Sequence, residues 1–137
     1  MPRRLILDSG PAFDYFFNRR DTRVRVHDRR RKGLKAGICV PILGEIISGI
    51  ELSASRDRSW SVVHRSLSSF VLWPYTFDAA YEYGRLHAEL RRNGITIQQH
   101  DLQMAAIALT LGNSTVVSYD SDLTRVPGLV VENWSLD

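Results

Sequence analysis

Residues 98–123, QQHDLQMAAIALTLGNSTVVSYDSDL, restrict what the chain can fold into more than any other stretch. From Leu102 to Leu109 only Gln103 is polar. That is too apolar for a helix with one solvated face, so the segment reads as a helix buried on several sides. Gly112 and Asn113 break it, and Thr115, Val116, Val117 and Ser118 form a short β-branched run of the kind found in buried strands. A buried helix feeding a buried strand requires a sheet covered on its faces, which is the α/β arrangement. Such sheets collect ligands outside the carboxyl ends of their strands. Asp120 stands just beyond one of these ends, and Asp101 opens the helix that feeds the strand.

Two further units repeat the pattern. Leu5, Ile6 and Leu7 form an apolar run that stops at Asp8-Ser9-Gly10-Pro11, where Pro11 suits the first turn of a helix. Residues 37–40 read as a second strand, and Pro41 starts a helix with Ile42, Ile46 and Ile50 on one stripe. Glu45 is placed in the first turn of that helix, beside apolar side chains, and should therefore have a cationic partner. Helices over residues 55–68 and 76–92, a strand at 70–73 and a last strand at 129–131 complete the reading. Trp134 falls in a C-terminal tail. The expected fold is a three-layer α/β/α sandwich with a mainly parallel central sheet, formed as one domain over residues 1–137.

Each acid has a local explanation: Asp8 or Asp101 as a helix N-cap, Glu45 in a salt bridge to an arginine, Asp120 in an Asx turn. Together, Asp8, Glu45, Asp101 and Asp120 share a different one. All lie at strand ends or helix starts that a right-handed parallel arrangement brings to one edge. Clustered carboxylates raise one another's pKa values unless a cation sits among them. A hard divalent ion with oxygen ligands suits such a set, Mg²⁺ or in its place Mn²⁺.

The charge distribution agrees. Residues 19–35 hold nine basic side chains against Asp21 and Asp28, a net +7 that leaves the rest of the chain at −4. A basic segment beside an acidic site is what a polyanion-cutting protein needs, although a solvated helix face explains any single arginine equally well. Cys39 is the one cysteine, set among apolar neighbours as core filler and unable to form an internal disulfide, which suits a reducing cytoplasm. No apolar run is long enough to span a bilayer, and the N-terminus lacks the apolar core of a signal peptide. A Gly-rich phosphate loop, CxxC or HxxxH metal patterns and a GxSxG elbow are all absent. His64 reads as a partly buried packing residue, and His100 is a weaker ligand candidate than the carboxylates around it.

LILDSG, VPILGEIISGIE, HDLQMAAIAL and VVSYDSDLTRVPGLVVENW, in that order, resemble the PIN-domain nucleases, most closely the VapC-type toxins of toxin–antitoxin pairs. The resemblance covers essentially the whole chain. It implies an endoribonuclease dependent on Mg²⁺ or Mn²⁺, acting on RNA such as tRNA or rRNA and inhibited by a cognate antitoxin. Asp8, Glu45, Asp101 and Asp120 fall on the family's catalytic and metal-binding acids, and Ser9 and Ser118 on its hydroxyl residues near the site. Arg19, Arg20, Arg23, Arg29 and Arg30 are the candidates for the RNA backbone. The resemblance and the apolar helix at 101–111 both suggest a homodimer. A housekeeping nuclease of the same fold, or a silent RNA- or protein-binding module, are the alternatives; the second is disfavoured because all four acids are present.

Overall fold

The computed structural model describes residues 3–135. Five strands form one fully parallel sheet: β1 (Arg4–Leu7), β2 (Lys35–Cys39), β3 (Val71–Trp73), β4 (Ser114–Val117) and β5 (Val130–Glu132), in the order β3-β2-β1-β4-β5. Helices α1 (Ser9–Phe16) and α2 (Thr22–Arg31) connect β1 to β2; α3 (Val40–Glu51) and α4 (Arg56–Leu67) connect β2 to β3. From β3 the chain passes through α5 (Phe77–Arg92) and α6 (Gln99–Leu111) to β4, on the far side of β1. The expected α/β class and parallel sheet are therefore what the chain forms.

Winding runs outward from β1 to β3, then restarts from β1 towards β5. The gap between the carboxyl ends of β1 and β4 is thus the topological switch point, where two connections leave in opposite directions and a crevice opens. Asp8 follows β1 and Ser118 follows β4, so the order of the strands alone sets these two residues side by side. Central position also explains composition. Leu5, Ile6 and Leu7 are completely buried, as expected of a strand covered on both faces.

Helix α6 buries Leu102, Met104, Ala105, Ala106, Ile107 and Ala108 against α5, α3 and β4. Its apolar surface is consumed inside the chain, so it gives no ground for a subunit contact. The helix also starts earlier than expected: Gln98 is its N-cap, and Asp101 lies inside the first turn. Capping therefore does not account for Asp101. Glu45 sits in the second turn of α3, whose first turn contains no acid, because the helix begins at Val40. On α2, Val26 and Thr22 are buried while Val24 is exposed. His64 is exposed and stacks on Trp60, its ring centroid 4.8 Å away. Trp134 is buried rather than in a loose tail; its indole donates to Glu132 and lies under the guanidinium groups of Arg25 and Arg29.

Helix α5 owes its start to Thr76, whose hydroxyl accepts from the Ala79 N–H at 3.1 Å. Thr76→Ala is expected to cost about 1 kcal/mol, read as a lower denaturant midpoint with unchanged slope. No helix among the described residues is long and apolar enough to cross a membrane.

Candidate active site

Asp8 anchors the crevice. Its backbone is extended, and one carboxylate oxygen accepts from the Ser9 N–H at 2.8 Å, capping α1. The other accepts from the Ser118 hydroxyl at 2.7 Å, across the switch point. The capping role considered for Asp8 is therefore real, but it occupies only half of the group. Ser118 in turn accepts from the Asp120 N–H at 3.0 Å and so fixes the turn that carries Asp120. Asp120 also accepts from the Asp122 N–H at 2.9 Å, which is the Asx turn expected there. Asp122 itself is exposed.

The other two acids arrive from the flanking helices. Ser9 donates to Glu45 Oε1 at 2.6 Å, tying α1 to α3. His100 Nε2 lies 2.5 Å from Glu45 Oε2 and 3.4 Å from Asp101 Oδ1. The partner that Glu45 was expected to need is thus this histidine, a cation only when protonated, and not an arginine. Despite that proximity, no hydrogen bond reaches Glu45 Oε2, which is buried.

These groups interact electrostatically as one set. Burial pushes the Asp101 carboxyl up to about 7, with further upward contributions from Asp8, Asp120 and Glu45 against a downward one from His100. Asp8 is also raised, chiefly by burial, with its bonds to Ser118 and Ser9 working the other way. Asp8, Glu45 and Asp120 thus all lie within electrostatic reach of Asp101, with Ser9 holding Glu45 and Ser118 holding Asp8 and the Asp120 turn. Among the described residues no three His, Cys, Asp or Glu side chains converge into a ready-made metal cluster. In donor chemistry the set still fits a hard divalent cation: it offers only carboxylate oxygens besides His100, one of them, Glu45 Oε2, buried with no hydrogen bond of good geometry beside the His100 ring, and its mutual repulsion is what a cation would relieve.

The five arginines singled out for RNA are differently placed. Arg23 donates to the carbonyls of Tyr15 and Phe16, closing the end of α1. Arg29 pairs with Glu132 at 2.6 Å. Arg30 donates to the Ser69 carbonyl and covers Phe70. Arg19 lies over Phe17, and Arg20 over Tyr119, beside the site.

Two features escaped the sequence reading. Asp14 is buried and receives the Tyr119 hydroxyl, a pairing between residues 105 positions apart with no local signature. Gly10 lies under the Tyr119 ring: a Cβ there would stand 2.8 Å from the ring's Cδ2. Cys39 needs no revision, since burial raises its thiol to about 12 and leaves it unreactive.

The PIN-domain family model matches residues 5–129. A tRNA(fMet)-specific endonuclease VapC of Salmonella typhimurium is 31% identical over 111 residues, 79% of this chain and 84% of that protein. Among solved structures, VapBC2 from Rickettsia felis bound to a promoter DNA fragment matches with a TM-score of 0.86 at 23% identity, over 96% of this chain and 98% of the other. DNA-bound VapBC from Salmonella typhimurium matches with a TM-score of 0.83 at 26% identity over the same shares. The chain belongs to the PIN-domain family, among its VapC ribonucleases.

Proposed function

We propose that this chain is an Mg²⁺-dependent endoribonuclease, with Mn²⁺ able to substitute, and the toxin of a toxin–antitoxin pair. The observation that carries the reading is the coupled set of Asp8, Glu45, Asp101 and Asp120 at the switch point, with Asp101 raised to about 7 by burial and by the other three acids. Carboxylates held in mutual repulsion are an arrangement that a divalent cation among them would relieve.

The four carboxylates would hold the cation. When bound, it supplies charge neutralisation at the scissile phosphate and lowers the pKa of the attacking water. The chain's own residues do the positioning. Ser118 holds Asp8 and the Asp120 turn in one frame; Ser9 and His100 fix Glu45 from opposite sides. Asp101, inside the first turn of α6, lies near the positive end of a helix dipole that favours its ionised form once a cation offsets the other acids.

The substrate is RNA, with tRNA the first to try because the Salmonella relative bears that name. A cognate antitoxin as inhibitor, in keeping with the VapBC complexes named for the matching structures, and a second copy of the chain as dimer partner are part of the same proposal. Incubating purified protein with total RNA and defined tRNA transcripts in Mg²⁺, Mn²⁺ or EDTA tests the reading. Discrete cuts that EDTA abolishes are expected. Intact RNA in every condition, with no Mg²⁺ heat in calorimetry, would overturn it.

A further inference from the structure

The geometry points to Arg20 as the residue that grips an RNA phosphate at the mouth of the acidic site, with Asp14 and Tyr119 as the positioning residues that hold it there. This inference rests on the ribonuclease reading above and narrows the basic segment to one substrate-contacting side chain.

Tyr119 sits between Ser118 and Asp120, both part of the site, and its ring packs on Gly10, two residues after Asp8. The ring therefore walls the crevice on one side. Its hydroxyl donates to Asp14 Oδ2, on the buried face of α1. The same oxygen lies 3.3 Å from Arg20 Nε, and the guanidinium carbon lies 5.6 Å from the ring centroid. A carboxylate whose side chain is 9% exposed thus fixes a guanidinium whose side chain is 55% exposed, one aromatic ring away from the carboxylate cluster.

That separation matters. A cation free to reach Asp8 or Asp120 would pair with them and compete with the metal. Arg20 pairs with Asp14 instead, at the far end of the Tyr119 side chain. The ion pair reaches Asp14 through Nε, and the two Nη groups of a guanidinium form the fork that suits bidentate binding of a phosphate. The backbone is costly here as well: Asn18, Arg20 and Asp21 all have φ of +55°, in the left-handed region that Asn and Asp tolerate and an arginine avoids. A short connection between α1 and α2 held in three such conformations is a place where the surrounding structure imposes a position on Arg20. By contrast Arg23 and Arg29 each commit two nitrogens to the chain itself.

The test measures affinity of a short fluorescent RNA for protein carrying Asp101→Asn, which prevents cleavage, as a function of salt. Adding Arg20→Ala is expected to weaken binding about tenfold and to reduce the salt slope by about one, the signature of one lost phosphate contact. Arg20→Lys should recover part of the affinity and the slope. Asp14→Asn should weaken binding in the same direction but add little to Arg20→Ala, because it acts through the same side chain. In cleavage-competent protein Arg20→Ala should raise KM with kcat little changed. Arg85→Ala, which removes an equal charge from α5, should leave affinity near that of the parent. If the parent binds and cleaves RNA while Arg20→Ala matches it in affinity and slope, or while Arg85→Ala loses as much, the assignment of Arg20 is overturned and the nuclease stands. If the parent neither binds nor cleaves, both fall.

Discussion

Asp101→Asn is expected to lower RNA cleavage by on the order of 10³-fold or more and, at the same time, to make the metal-free protein more stable at neutral pH. The two effects have one cause. Burial first, and then the neighbouring Asp8, Asp120 and Glu45, hold the Asp101 carboxyl up to about 7 against an ordinary value of 3.8. Between those values the folded chain keeps a proton that the unfolded chain has lost, so stability falls as pH rises through that window. Below it the penalty is absent; above about pH 7 it is complete. Asparagine has no charge to repel, fits the same space and removes the fall, a gain of about 1–3 kcal/mol at pH 8 and little at pH 4. Urea denaturation of both proteins at the two pH values, without divalent ions, measures it. Parallel pH profiles for wild type and variant would show that Asp101 does not carry the repulsion.

Gly37→Ala is expected to destabilise the fold by about 3 kcal/mol or more. Gly37 pairs with Val71 in the parallel ladder between β2 and β3. A Cβ at this position would stand 2.3 Å from the Val71 carbonyl oxygen and 2.6 Å from a ring carbon of Trp73. A flexible side chain can swing away from an intruding methyl group, whereas the Val71 oxygen belongs to the backbone of a three-residue edge strand. The strand must move bodily, and with it Trp73, which helps close the core. Gly44→Ala is the matching control. Gly44 is exposed on α3, and a methyl group added there would meet nothing within 4 Å, so alanine should stabilise by about 0.5–1 kcal/mol through helix propensity. Opposite shifts in the denaturation midpoint are expected; a neutral Gly37→Ala would mean that β3 is not held against β2 as described.

The strands and the four acids were legible because each is announced locally. Leu5, Ile6 and Leu7 are apolar without interruption since β1 is covered on both faces; Asp8 follows directly on the end of β1, and Asp120 lies in the turn just beyond β4. Helix boundaries were less legible. Gln99 and His100 are as compatible with a loop as with a helix, and only the packing of the turn they open moves Asp101 from the cap into the first turn. The long-range polar contacts were not legible at all. Asp14 reads as one more polar residue on a helix of aromatic ones until Tyr119 arrives from the far side of the switch point. Trp134 reads as a tail until α2 covers it. The arginines of α2 look interchangeable in sequence; in the fold Arg23 caps α1 and Arg29 meets Glu132, because those carbonyls and that carboxylate come from elements the basic segment does not name.

The shared cation is addressed most directly by thermal melting of the wild type with increasing Mg²⁺ at pH 5.5 and pH 7.5, beside Asp101→Asn. Binding to the folded form alone raises the melting temperature by mass action, and protons compete for the same carboxylates. The wild type should be stabilised by Mg²⁺, more strongly at pH 7.5, and the variant hardly at all. Wild-type melting that ignores Mg²⁺ at both pH values, or an equal rise in Asp101→Asn, would contradict a metal site built on these four acids.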